Sequence, residues 1–442
     1  MKSKKNSSIH QHPSELLQKL IQFNTTNPPG NESECIQFIN EMLKDAGIET
    51  TLLAQTPERP NLITRLAGQG NTAPLLLYGH VDVVTTDKQK WQHPPFEGKL
   101  IDGFIWGRGA LDMKGGVAMM VAAFLRAKSE GAKLPGDVIL TIVSDEEAGG
   151  DLGAKYLVDN HPHFFENVQY AIGEFGGFSL DIGKKRFYPI MVAEKHPCWM
   201  KAIVRGPGGH GSLPVRDGSM AKLALILQSL DRNRLPVHIT PVARLMFTTI
   251  ASALGGISGL MIRQLINPPL TNTILNLLGE QGRTFAPLLH NTVSATILHG
   301  SDKINVIPSE VTVELDGRLL PGYRPEDMFA ELRKIIGSEV EFEVTRYDEG
   351  PGEPDMGLFD MLSAILVEDD PGCIPVPLLL SGCTDGRFFS RLGIQTYGFL
   401  PTPLPKGFNF TKTIHSVDER VPAESIDFGA NAIYKLMRRY KG

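Results

Sequence analysis

In Pro74-Leu75-Leu76-Leu77-Tyr78-Gly79-His80-Val81-Asp82, Pro74 to Gly79 reads as a strand that delivers an imidazole and a carboxylate just past its end. Leu75 to Tyr78 are apolar on both faces, the pattern of a strand inside a sheet covered on both sides. Upstream, Asn61 to Leu66 reads as another strand, and Ser14 to Phe23 and Glu32 to Ala46 have helical spacing, with Asn31 placed to cap the second helix. Downstream come an Ala-, Val- and Met-rich helix over Gly115 to Lys128, a buried strand over Asp137 to Val143 and a short one over Tyr170 to Gly173. This alternation predicts an α/β layer protein with a mostly parallel sheet.

Side chains suited to a metal collect where these strands end. His80 closes the first, Glu146 and Glu147 follow the second in Ser144-Asp145-Glu146-Glu147, and Glu174 follows the third. Gly107-Arg108-Gly109-Ala110-Leu111-Asp112-Met113-Lys114-Gly115-Gly116 lies between the first two, and His415 comes late in the chain. Ligands bind at the carboxyl edge of the strands in open α/β sheets. A hydrolytic metal site also needs several imidazoles or carboxylates converging on an ion with one position left open. His80, Asp112, Glu147, Glu174 and His415 are therefore the candidate ligands.

In His80-Val81-Asp82 alternate residues share a face, so Asp82 can accept the second imidazole N–H and fix its tautomer. Taken alone, the tripeptide better describes an ordinary strand-end histidine beside a solvated aspartate, and only the combination with the other motifs reverses that. Asp112 lies between glycine-rich turns where backbone can approach an ion, a place that also suits a helix N-cap. The neighbouring carboxylates of Glu146 and Glu147 repel unless a cation lies between them. With a metal there, one of the two is left free to take a proton from water. A solvated acidic loop is the plain alternative.

The middle of the chain changes order. A strand at Cys198 to Arg205, a helix at Gly218 to Leu230, strands at Thr292 to Leu298 and Glu310 to Leu320, a helix at Pro325 to Ile336 and a strand at Glu339 to Arg346 make a split βαβ, ferredoxin-like unit. Residues 235–290, helical and punctuated by proline, read as an insertion within it. A strand near Gln395 to Leu400 and a closing helix from Ala423 to Arg439 return to α/β character. The expected organisation is a first part over 1–196, an inserted domain over 197–347 and a second part over 348–442.

With 442 residues, 42% hydrophobic and 21% charged, the chain has material for about two packed cores. A net charge of -5 with interspersed signs offers no basic stripe for nucleic acid. Cys35, Cys198, Cys373 and Cys383 are scattered without paired spacing and are expected as free thiols. The basic, polar start, Met1 to His12, lacks the apolar run of a secretory signal, so a cytoplasmic location is expected. Leu245 to Ile262 carries no charge from Leu245 to Met261 or at Ile262, but Gly255-Gly256 and its Thr and Ser residues favour a buried or interface helix over a membrane span.

Taken together, G-H-x-D, G-R-G-x-x-D-x-K-G-G and D-E-E, with Gly206-Pro207-Gly208-Gly209-His210-Gly211-Ser212, Asn305-Val306-Ile307-Pro308, Asp316-Gly317-Arg318-Leu319-Leu320-Pro321-Gly322, Ser381-Gly382-Cys383-Thr384-Asp385-Gly386-Arg387 and Thr413-Ile414-His415, resemble one family. It is that of dinuclear zinc amidohydrolases, which includes aminoacylase, acetylornithine deacetylase, succinyl-diaminopimelate desuccinylase and glutamate carboxypeptidase. The resemblance runs from about Leu16 to Arg438 and includes the inserted domain as a dimerisation or lid domain.

The resemblance implies two Zn2+ per subunit, with Co2+ or Mn2+ as substitutes. Asp112 would bridge them, His80 and Glu174 would complete one site, and Glu147 and His415 the other. Glu146 would be the general base, and the Asp112-Met113 peptide would be cis. It also implies that His210 reaches the partner subunit's active site in a homodimer and steadies charge on the scissile carbonyl oxygen, with Asn305 as a neighbour. Arg318 on its strand suits bidentate recognition of a substrate carboxylate, with a structural salt bridge as the competing reading. Ser381, Gly382 and Thr384 would belong to a loop resembling the family's carboxylate-cradling loop, where Cys383 stands in place of the usual glycine and would narrow the pocket.

Glutamate at the position of Glu174 is commoner in the family's deacylases, aspartate in its peptidases. The expected activity is thus hydrolysis of an amide bond in a small carboxylate-bearing substrate, foremost an N-acyl amino acid, with a carboxypeptidase or dipeptidase acting on short peptides as the alternative. A metal-retaining scaffold without catalysis is the reading from another class; Glu146 and His210, needed only for turnover, speak against it.

Overall fold

The computed structural model describes residues 11–442, so most of the basic N-terminal stretch lies outside the described residues. The chain divides into two compact units. One comprises residues up to Val192 with Pro354–Leu378 and Thr384–Gly442, the other Ala193–Glu353 with Leu379–Cys383.

The first unit is built on a mixed sheet. Its path runs Thr50–Leu53, Asn61–Leu66, Val138–Val143, Leu75–His80, Tyr170–Gly173, Gln395–Gly398, Lys185–Glu194 and Ile374–Leu380, with Leu180–Ile182 paired to Lys185–Glu194. The four strands from Val138–Val143 to Gln395–Gly398 are parallel; Thr50–Leu53, Asn61–Leu66 and Val138–Val143 pair antiparallel on one side, and Lys185–Glu194 pairs antiparallel with Gln395–Gly398 and with Leu180–Ile182 on the other. All six residues of Leu75–His80 and all six of Val138–Val143 are buried, as apolarity on both faces requires.

The crossover between those two strands contains the helix Lys114–Ser129. Its sequence KGGVAMMVAAFLRAKS is so short of polar side chains that nearly every residue is buried. Small residues also let backbone and side chain approach closely: a side chain at Gly173 would meet the Tyr78 ring at 2.1 Å.

Two features depart from the sequence reading. Helix Ser33–Asp45 starts after Glu32, not Asn31, and neither residue supplies a side-chain cap; Glu32 has helical dihedrals, and its carboxylate is taken by Arg59. Asp112 does not cap the helix that follows either. Met113 is its N-cap, and the Asp112 side chain turns toward two histidines instead. The Asp112-Met113 peptide is cis.

The second unit contains a four-stranded antiparallel sheet in the order Thr292–His299, Glu310–Leu319, His196–Arg205, Glu341–Tyr347. Val311, Val313 and Leu315 alternate inward from one strand and meet Leu223 and Ile226 of helix Ser219–Arg232 and Met328 and Leu332 of helix Pro325–Ile336. This is the split βαβ arrangement read from the sequence.

Pro241–Leu254, Gly256–Gln264, Pro268–Leu277 and Glu280–Phe285 form further helices between the first helix and the next sheet strand. Gly255 and Gly256, at φ 61° and 53°, break the uncharged stretch into two helices. Among the described residues no helix is long and apolar enough to cross a membrane. All four cysteines are free.

Candidate metal centre

Parallel register explains how residues far apart in sequence meet. His80 pairs with Val143, three residues before Glu146, and Leu77 pairs with Ile172, two residues before Glu174. The carboxyl ends of three strands therefore open on one place. His80 Nε2 lies 3.3 Å from Asp112 Oδ1, 3.4 Å from Glu174 Oε2 and 4.0 Å from Glu146 Oε2. His415 Nε2 lies 3.1 Å from Asp112 Oδ2 and 3.2 Å from Glu147 Oε1. Asp112 thus turns one oxygen to each histidine. Candidate ligand atoms of His80, Glu146 and Glu174 lie within 4.8 Å of one another, as do those of Asp112, Glu147 and His415.

The electrostatics show the same convergence. Burial pushes the carboxyl pKa of Glu146 well above its ordinary range, with the Glu174 carboxylate adding to it; burial likewise raises Glu147 and lifts Glu174 to about 7. Hydrogen bonding to Asp112 and Glu147 raises the His415 imidazole to about 10. Burial opposes charge on His80, yet Glu174, Asp112 and Asp82 outweigh it and raise its pKa well above the usual value. Four carboxylates and two imidazoles gathered in this way attract positive charge.

Buried His80 Nε2 and Glu147 Oε1 make no well-formed hydrogen bond. One orphaned atom lies in each of the two ligand clusters, and their imidazole and carboxylate chemistry fits divalent cations.

Sequence reasoning placed Asp82 behind His80. His80 Nδ1 lies 3.0 Å from the Asp82 carbonyl oxygen and 3.5 Å from Oδ1. The main-chain carbonyl, not the expected carboxylate, is thus the close partner of the imidazole, and the carboxylate accepts the backbone N–H groups of Glu146 and Glu147 at 3.1 and 3.0 Å and so holds their loop.

Other supports were assigned no role from the sequence, although Lys114 and Asp385 lie within the quoted motifs. Glu419, fully buried, accepts the N–H groups of Leu111 and Asp112 at 2.8 and 3.2 Å and pairs with Arg108 at 2.6 Å. Lys114, also fully buried, donates to the carbonyls of Leu20 and Phe23. Asp385 is buried with neither carboxylate oxygen hydrogen-bonded, and burial raises it to about 7. In a lone sequence each reads as an ordinary surface charge.

Of the remaining predicted residues, Thr384 is in the first unit, buried, with its hydroxyl accepting the Gly386 N–H at 3.0 Å and lying 3.5 Å from the Tyr78 hydroxyl. The others are in the second unit. His210 is exposed on a two-residue strand paired with Val306–Ile307, and the carbonyl of Asn305 accepts the Gly211 N–H at 2.8 Å. The Ser212 N–H donates to His210 Nδ1 at 3.2 Å. A backbone amide only donates, so Nδ1 is the acceptor and the neutral ring carries its proton on Nε2.

Arg318 directs Nε and Nη2 to the two oxygens of Asp316 at 2.8 and 3.2 Å, and Nη1 to Cys383 Sγ at 3.2 Å. Ser381 is exposed and Gly382 partly so.

The sequence profile of peptidase family M20/M25/M40 matches residues 76–439. The chain belongs to this family. It is accordingly a metal-dependent hydrolase of the M20 type. Among M20 relatives, aminoacylase-1 of Sus scrofa is 26% identical over 435 residues, covering 93% of this chain and 91% of that protein. Probable carboxypeptidase S-like 2 of Dictyostelium discoideum is 27% identical over 385 residues, covering 83% and 71%. The fold is that of human carnosine dipeptidase 1, with a TM-score of 0.68, 14% identity and coverage of 99% and 97% of the two chains.

Proposed function

We propose that this M20 enzyme hydrolyses N-acyl amino acids at a pair of zinc ions. The observation that carries the reading is Asp112, whose two oxygens face two separate histidine and glutamate sets. His80 and Glu174 would hold one ion with Asp112, and Glu147 and His415 the other. Zinc supplies Lewis acidity toward the scissile carbonyl and the attacking water.

Glu146 is assigned as the general base because its nearest oxygen is farther from His80 Nε2, at 4.0 Å, than those of Asp112 and Glu174. Its raised pKa also suits a carboxylate that both takes and returns a proton. Glu146 removes a proton from water as the water oxygen bonds to the carbonyl carbon, then returns it to the nitrogen as the C–N bond breaks. Asp82 holds His80 and the Glu146 loop. His210, carrying its proton on Nε2, is the donor for the developing oxyanion, acting in the partner subunit of a homodimer, with Asn305 beside it. Arg318 receives the substrate carboxylate in a loop that includes Ser381, Gly382 and Thr384.

The near full-length likeness to an aminoacylase and the glutamate at position 174 support deacylation over peptidase activity. The likeness to a carboxypeptidase S-like protein supports the second reading, cleavage of short peptides. Amine release by the zinc-loaded enzyme from N-acetyl-methionine, alanyl-methionine and the amide of each separates the two. Faster cleavage of the acetylated acid, lost in its amide, is the expected result. Preference for the dipeptide would assign a peptidase.

A further inference from the structure

We propose that Asn27, with Arg59 holding the shared partner Asp145, is a positioning residue for the hydrolytic reaction, fixing Asp82 and the loop that bears Glu146 and Glu147; this rests on the metal reading of the site. Asn27 lies in the turn between helices Pro13–Ile21 and Ser33–Asp45, in Asn24-Thr25-Thr26-Asn27-Pro28-Pro29-Gly30, far in sequence from every candidate ligand. It is buried, and its single amide nitrogen donates to Asp82 Oδ2 at 2.9 Å and to Asp145 Oδ1 at 3.2 Å. One side chain thereby joins the carboxylate behind His80 to the residue immediately before Glu146.

Asp145 is the hinge of that connection. Its backbone is left-handed, at φ 75° and ψ 10°, a conformation that a non-glycine residue holds only with support. The support is complete: Oδ2 accepts the Leu152 N–H at 2.9 Å, the carbonyl accepts the Gly150 N–H at 2.7 Å, and Oδ1 takes Arg59 Nη1 at 2.9 Å as well as Asn27. Arg59 is held on its other edge by both oxygens of buried Glu32, at 3.1 and 2.6 Å. A chain of contacts thus runs from Glu32 through Arg59, Asp145 and Asn27 to Asp82, and from Asp82 to the backbone of Glu146 and Glu147.

The residue type fits the task. A lysine or arginine in the place of Asn27 would neutralise Asp82 and weaken its hold on His80. An amide donates two hydrogen bonds and adds no charge. The Asn27 amide oxygen, turned away from the two carboxylates, is buried without a hydrogen-bond partner. Folding alone does not favour an orphaned acceptor, so the orientation of this amide is dictated by the two carboxylates.

The test uses the full chain, stripped and reloaded with Co2+ or Zn2+, comparing wild type with Asn27→Leu, Asn27→Ser, Arg59→Met and Arg59→Lys. Turnover of N-acetyl-methionine is read together with the visible Co2+ absorption and Tm. Asn27→Leu and Arg59→Met are expected to lose about 10- to 100-fold in kcat with KM within about twofold, the range for residues behind a metal ligand. The Co2+ band should change in position or intensity. Asn27→Ser and Arg59→Lys, which keep one donor or the charge, should lose less, and they carry the test if the larger changes do not fold. Full kcat and a wild-type Co2+ band in all soluble variants, whatever their Tm, would overturn the proposal. A wild-type protein that binds no Co2+ would overturn the metal reading and the positioning role with it.

Discussion

Around Asp112 the first unit packs carboxylates and imidazoles against one another, with His80 and Glu174 buried, Asp112, Glu146 and Glu147 half-buried and His415 exposed at its rim, whereas the second unit leaves His210 exposed and Arg318 half-buried. In the first, charge is concentrated before any substrate arrives, and rigid strand ends set the distances. In the second, one edge of Arg318 is taken by Asp316, and only the edge at Nη1, beside Cys383, remains for a ligand. The difference teaches where each kind of substitution will register: in metal binding and stability for the ligands of the first unit and the residues that hold them, in turnover alone for its proton-transferring Glu146, and in turnover or KM for the exposed residues of the second.

The largest effect expected in the first unit is from Glu146→Gln. It should lower kcat about 1000-fold, within the range for loss of a general base, with metal content unchanged by elemental analysis. Retained turnover would remove Glu146 from that role. The sharpest contrast is His210→Ala, which should lower kcat about 100-fold with unchanged Tm and metal content, because its side chain is exposed. A fall in Tm would break the comparison. Arg318→Met should raise KM for carboxylate substrates about 10- to 100-fold, the worth of one hydrogen bond to a charged group, and leave amide substrates unaffected.

The pH dependence of the metal-free protein tests the buried centre again. Glu174 and Asp385 titrate near 7 in the folded chain, above their ordinary values of 4.5 and 3.8. Raised pKa values favour the folded state below the ordinary values and cease to do so as pH rises through about 7. His415, raised from 6.5 to about 10, adds a further loss as pH approaches 10. Tm of chelator-treated protein should therefore fall from pH 5 to pH 8, and saturating zinc should flatten that fall. A Tm that rises over this interval without metal would contradict the arrangement. The smallest effect is expected from Cys383→Gly, a change of a few-fold at most in KM, read as tolerance of bulkier amino acid side chains.

The parallel centre of the sheet was legible because Leu75–His80 and Val138–Val143 are apolar on both faces, and the split βαβ unit because its strands alternate. Lys185–Glu194 and Ile374–Leu380 were not legible as strands. Each contains proline, which removes a ladder donor, and the second of them is the last strand on the sheet path, where such a loss is tolerated. At the site, His80, Asp112, Glu147, Glu174 and His415 stood out through ligand chemistry at strand ends and glycine-rich turns. Asn27, Arg59, Glu419 and Asp385 did not, because their roles arise from burial and from partners that are 55 to 311 residues away for the contacts of Asn27 with Asp82 and of Glu419 with Arg108.

The most direct measurement is calorimetric titration of chelator-stripped protein with zinc, run on wild type and His415→Ala and followed by turnover of N-acetyl-methionine. Two equivalents bound by wild type, one by His415→Ala, and activity only with both sites filled are the predicted results. A single equivalent in wild type, or full activity in His415→Ala, would contradict a dinuclear centre bridged by Asp112.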